Sequence, residues 1–182
     1  MVASLLVWFG EIHDAEYPFE YTASDRAFLR RLRLAATDWP HDPAVSWAWQ
    51  VFGDPPLVAA VTLTDHDSRV SLGDFGVHVF TPGIVRGDQL HNQTYALPDR
   101  PTNLAVEASG TPEQVVACCV EWFDDILSKP VDRYEWWHRG EIYARRWLFA
   151  GTGQGLVQSY VARRRERAGG LGAPDKIIRV RN

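Results

Sequence analysis

The sequence predicts an α+β fold: one domain in which an antiparallel, twisted sheet of five to seven strands carries two or three helices, mainly on one face. Three observations predict it. A long amphipathic helix is bounded by clear start and stop signals, and β-branched and aromatic runs are separated by short turns. The order helix, hairpin, helix, hairpin, helix does not alternate as a doubly wound parallel sheet would. At 182 residues the chain can bury roughly 70% of its unfolded surface in one core without staples. Residues 1–168 are expected to form this domain, with 169–182 a flexible glycine-rich segment and a C-terminal strand.

Taken in order, Leu5 to Phe9 is an apolar run too short to assign to strand or helix. Thr22 or Ser24 can cap a helix over about Asp25 to Ala36, with Phe28, Leu29, Leu32, Ala35 and Ala36 on one face. Arg26, Arg30, Arg31 and Arg33 fall mostly on the other face, as a solvated stripe or an anion-binding one. Asp38 to Pro56, dense in Pro, Asp and Trp, reads as a long connection packed down by its aromatics. Leu57–Thr64 and Arg69–Phe80 read as a hairpin around an Asp65-His66-Asp67 turn, with a bulge at Gly73 or Gly76. Leu90–Leu97 and Leu104–Ala108 are weaker strand candidates.

The organising stretch is Thr111 to Ala150. Thr111 is placed to cap, Pro112 occupies the first helical position, and Gln114 stands three residues on to complete a capping box. Val115, Val116, Cys119, Val120, Trp122, Phe123, Ile126 and Leu127 then recur at helical spacing until Pro130 stops the helix. Asp132–His138 and Glu141–Ala150 form a hairpin turning at Arg139-Gly140. Gly151-Thr152-Gly153-Gln154-Gly155 leads into an expected last helix from Leu156 to about Arg167, and Lys176–Arg181 into a terminal strand.

If that hairpin pairs regularly from its turn, Trp136 faces Tyr143 and Tyr134 faces Arg145, with Trp147 on the same side. Tyr134, Trp136, Tyr143, Arg145, Arg146 and Trp147 are therefore the candidate partner- or ligand-binding residues, since Trp, Tyr and Arg are enriched where binding energy concentrates. The alternative is that these rings fill the core. The same register sets Arg133 against Arg146, an unfavourable pair unless a carboxylate such as Glu135 or an acidic ligand lies nearby, or the register differs by one.

Gly151, Gly153 and Gly155 are weak phosphate-loop candidates, because the segment follows a strand and opens an expected helix. A dinucleotide fingerprint or P-loop is not completed. No zinc-type ligand motif and no nucleophile elbow occurs, so neither a catalytic residue nor a metal nor a cofactor is assigned. Cys118 and Cys119 are adjacent in a helix, about 100° apart around its axis, and do not form an ordinary disulfide. Glu107 and Glu135 are the one carboxylate pair that could serve as a glycosidase-like acid and partner.

Composition bounds the rest. The hydrophobic fraction of 46% and charged fraction of 23% are those of an ordinary soluble domain. No membrane span or secretion signal is legible, and a fold without staples suits the cytoplasm. A pI near 5.8 argues against a nucleic-acid partner. Residues 1–110 hold 7 Lys or Arg against 14 Asp or Glu, and residues 111–182 hold 12 against 9. The expectation is a non-enzymatic cytosolic protein-interaction module, immunity- or antitoxin-like in character, binding a protein through its aromatic and arginine hairpin. The alternative is a small enzyme or ligand-binding protein with an aromatic-lined pocket for an anionic or sugar-like molecule. The terminal strand is a candidate homodimer edge.

Overall fold

The computed structural model describes residues 7–12, 21–42, 45–50, 57–91, 94–160 and 171–182. Among them the chain runs β1 (Gly10–Glu11), α1 (Ala23–Ala35), β2 (Ser46–Gln50), β3 (Leu57–Asp65), β4 (Val70–Thr81), β5 (Ile84–Gln89) and β6 (Val106–Ser109). It continues through α2 (Pro112–Ser128), β7 (Val131–His138), β8 (Glu141–Phe149), β9 (Gly155–Tyr160) and β10 (Lys176–Arg181). This is an α and β chain with two helices, but its strands divide into two sheets. One has six strands in the order β1-β2-β3-β4-β5-β6 and the other four in the order β10-β7-β8-β9. The single antiparallel sheet is thus corrected twice, because β1 also pairs parallel to β2. Parallel neighbours need a long crossover, and the connection carrying α1 supplies it.

By contacts the chain falls into two compact units: Met1–Leu63 with Asp74–Leu127, and Thr64–Gly73 with Ser128–Asn182.

In the first unit both helices begin as their sequences require. Thr22 caps α1 because Asp25 can reciprocate: Asp25 N–H donates to the Thr22 hydroxyl at 3.1 Å and Thr22 N–H to the Asp25 carboxylate at 2.9 Å. Ser24 would find only Ala27 at the equivalent position. Thr111 and Gln114 make the same box on α2, at 2.9 and 3.3 Å. Two of the α1 arginines have partners within the unit. Arg33 reaches the Trp8 and Phe9 carbonyls and Glu11, and Arg31 pairs with Glu113 at 3.1 Å.

Leu57 through Val61 are closed to solvent on both faces of β3. On one face Ser46 accepts a hydrogen bond from Phe9 N–H, and the Phe9 ring meets Phe123 of α2 at 5.2 Å. On the other, Val58, Ala60 and Leu90 pack with Trp47, Tyr95 and Leu97. The stretch Asp38–Pro56 is therefore not connection throughout. Trp47 and Trp49 sit in β2, with their rings 5.0 and 5.2 Å from Tyr95. The described residues of 90–97 are not in a strand, and β6 takes Val106–Ser109. Gly76 marks close packing: a Cβ there would lie 2.7 Å from Leu90 Cδ1 and 2.9 Å from Ala60 Cβ. The irregularity of the β4–β5 ladder falls at Val79/Thr81.

In the second unit Arg139 and Gly140 form the β7–β8 turn with φ of 52° and 82°, both left-handed, as a two-residue hairpin of the favoured twist requires. The expected last helix is replaced at its start by β9, which pairs with β8; residues 161–167 of that expected helix lie outside the described residues.

Candidate functional site

The β7–β8 ladder starts in the expected register, with His138 opposite Glu141 and Trp137 opposite Ile142. Between Trp136 and Trp137 it shifts by one residue. Trp136 then faces Ala144, Glu135 faces Arg145, Tyr134 faces Arg146 and Arg133 faces Trp147. Tyr143 is the extra residue of the bulge. A bulge inverts every facing beyond it, so Arg145 and Trp147 leave the face of Tyr134 and Trp136, and Arg146, expected on the other side, joins it. The clash of Arg133 with Arg146 disappears for the same reason.

Arg145 and Trp147 belong to one face, with Arg133 and Glu135, and that face is largely buried. At its centre is Asp65, from the turn end of the β3–β4 hairpin, with 0% of its surface exposed. One carboxylate oxygen closes its own turn, accepting from the backbone N–H groups of Asp67 (3.1 Å) and Ser68 (3.2 Å). The other accepts from Arg133 Nη1 at 2.6 Å and from the Trp147 indole N–H at 2.7 Å. Arg133 Nε donates to Glu135 at 3.0 Å, and Arg145 Nε lies 3.4 Å from the same oxygen as an ion pair. Two carboxylates and two guanidiniums thus balance. Burial pushes the Asp65 carboxyl up, but hydrogen bonds from Ser68, Trp147 and Arg133 outweigh it and hold the group well below the usual carboxylate range. A buried ion pair survives only when its members are hydrogen-bonded in this way.

The opposite face of the sheet is different. Ile177, Tyr134, Arg146 and Gln158 form one row across β10, β7, β8 and β9. Arg146 is exposed, Tyr134 half-buried, and Ile177 keeps 55% of its surface open to solvent. The Arg146 guanidinium lies over Gly155, where a Cβ would come within 3.3 Å of Nη2. In the next row Arg179 pairs with Asp132 at 2.6 Å. Trp136 shares this face but is only 4% exposed, its indole N–H donating to the Gly172 carbonyl at 3.3 Å. Trp137, beyond the bulge, is 40% exposed, with its backbone N–H on Asp175.

The structure therefore brings Tyr134 and Arg146 together at the surface, covers Trp136, leaves Tyr143 at the bulge, and places half-buried Arg145 and buried Trp147 on the other face. Trp136 and Trp147 do not line one hollow. Gly151 and Gly153 lie in a turn between antiparallel strands, closed by Phe149 N–H on the Gln154 carbonyl and Gly153 N–H on the Phe149 carbonyl. Without a following helix the phosphate reading loses the N-terminal dipole it needs, and Gly155 serves as the floor for Arg146. Glu107 is exposed beside Arg86 at 3.1 Å and Glu135 lies between two guanidiniums, so neither has the apolar surroundings of a proton-donating acid. Asp65 keeps its role in a turn, but its bond to the sheet was not legible from the turn sequence. Ile177 and Trp137 were missed as surface residues, the first because strand alternation does not say which face is covered.

Among the described residues, no group of three His, Cys, Asp or Glu is placed to hold a metal ion, and no helix is long and apolar enough to cross a membrane. No protein-family model, curated protein or solved structure matches the chain.

Proposed function

We propose that the protein is a non-enzymatic, cytosolic protein-interaction module, immunity- or antitoxin-like in character, whose contact surface is the Tyr134–Arg146–Ile177 row of the four-stranded sheet. The observation that carries this reading is the contrast between the two faces of that sheet. On the buried face the charged side chains are paired with one another, which leaves no poised acid, base or nucleophile. On the open face an aromatic ring, a guanidinium with no ion pair among the described residues, and an exposed isoleucine stand side by side. A rigid strand platform holds them without further ordering, and Tyr and Arg are among the residues that dominate interface energies.

The test is affinity capture from native lysate with the wild-type chain and with Tyr134→Ala/Arg146→Glu, whose changes lie at the surface and leave the Asp65 network intact. A stoichiometric protein retained by the wild type and lost by the variant supports the reading. Equal retention by both, or turnover of a small substrate that survives the double change, removes it.

A further inference from the structure

The two units carry opposite net charge. The first unit holds 6 Lys or Arg against 16 Asp or Glu, net −10, and the second 13 against 7, net +6. An overall charge of −4 conceals this division. Within the second unit, β10 (Lys-Ile-Ile-Arg-Val-Arg) has three cations and no acid, whereas β9 (Gly-Leu-Val-Gln-Ser-Tyr) has no charge at all. β10 is also a sheet edge: β7 pairs with its inner side, and among the described residues no strand pairs with its outer side. An open edge offers backbone N–H and C=O groups to any extended chain.

We infer that β10 takes up an extended, acidic segment of a partner protein, which adds to the second sheet as a fifth strand. This rests on the reading of the protein as an interaction module and specifies how the partner enters. Ile177 lies in the same row as Tyr134 and Arg146, so an added strand prolongs that row and covers the exposed isoleucine with an apolar side chain of its own. The bulge at Arg179/Arg181 limits regular pairing to Lys176–Arg179. Arg179 is held by Asp132 on the inner side, and Lys176 has no ion pair among the described residues. Lys176 and Arg179 lie on opposite faces of β10, so an incoming strand with two apolar residues between two carboxylates sets apolar side chains against Ile177 and Ile178 and a carboxylate against each cation. A second copy of this chain would instead bring two basic strands together, six cations along one seam, which charge repulsion opposes.

The test uses the full-length, isotope-labelled chain, titrated at low salt with the Glu-Val peptide Glu-Val-Val-Glu-Glu-Val-Val-Glu, and separately with the Lys-Val peptide of the same pattern. The expected result is that only the Glu-Val peptide shifts the backbone amide signals of residues 176–179. Lys176→Glu, which breaks no ion pair among the described residues, should weaken binding about threefold, and Lys176→Glu/Arg179→Glu about tenfold, with the preference passing to the Lys-Val peptide. Equal responses to both peptides, or none to either, overturn the inference. So do shifts confined to Tyr134 and Arg146, or a dimeric mass by light scattering that the double charge reversal reduces to a monomer. If strand addition fails while capture remains sensitive to Tyr134→Ala/Arg146→Glu, the interaction reading stands and only the mode of docking falls.

Discussion

Removing the Asp65 carboxylate should be the most damaging single change in the second unit. Asp65→Ala deletes four acceptor contacts at once: two that close the β3–β4 turn, and two that hold Arg133 and Trp147. The Arg133 guanidinium, almost wholly buried, is left with Glu135, which Arg145 already shares. Breaking one side of a buried ion pair costs about 3 to 5 kcal/mol, and the orphaned indole N–H adds to this in the same direction. Denaturant unfolding followed by far-UV circular dichroism should therefore show a loss of about 3 to 5 kcal/mol. Asp65→Asn keeps the turn acceptor and should lose less; combined with Arg133→Met it should be milder than the two single losses added together, because the buried charge left behind by either one is removed. The pH dependence has a definite sign. The folded carboxyl titrates below its ordinary value of 3.8, so its contribution is fully present above that value and is lost as pH falls through the lower folded value. Wild type should lose stability across that acid window and Asp65→Asn should be flatter there. A loss below about 1 kcal/mol for Asp65→Ala would refute the network as an organising element, since that is the scale of one ordinary hydrogen bond.

Other outcomes follow from single contacts. Thr111→Ala removes one half of the α2 capping box and should lower stability by about 1 kcal/mol in chemical denaturation. His78 is pulled below its ordinary value of 6.5 by burial, against the opposing hydrogen bond to the Tyr95 carbonyl. Its contribution is therefore present above pH 6.5 and is lost as pH falls through the folded value, which proton NMR of the imidazole should place below 6.5. Burial, with Cys118 beside it, pushes the Cys119 thiol up to about 12, so at pH 8 a thiol reagent should modify Cys119 only on unfolding. Arg139→Asn places a residue tolerant of left-handed backbone at φ 52° and should raise thermal stability by about 0.5 to 1 kcal/mol.

The parts of the fold that were legible in the sequence are those fixed by local chemistry. Thr111, Pro112 and Gln114 announce the start of α2, Pro130 follows its end, and Arg139-Gly140 marks a turn, because each acts within a few residues. The bulge at Trp136/Trp137 carries no such mark. It arises where two strands meet sheet neighbours on both sides, and its consequence is large: it sends Trp147 and Arg145 to the buried face and Arg146 to the open one. The expected clash of Arg133 with Arg146 was the only trace of it in the sequence. Asp65 shows the same limit. Its place in a turn follows from Asp, His, Asp and Ser in succession, but its partners Arg133 and Trp147 lie 68 and 82 residues away. The glycine-rich segment misled because three alternate glycines suit an anion cradle and a hairpin turn equally well; β9 decides between them.

The central claim, that the Tyr134–Arg146 face is a protein-contact surface, is tested most directly by a photo-crosslinking residue placed at Tyr134 in the full-length chain and irradiated in cells. A discrete heavier adduct that contains a second protein, and that fades when Arg146→Glu is added, is the predicted result. Irradiation that leaves the chain at its own mass in cells expressing it at native level would contradict the claim.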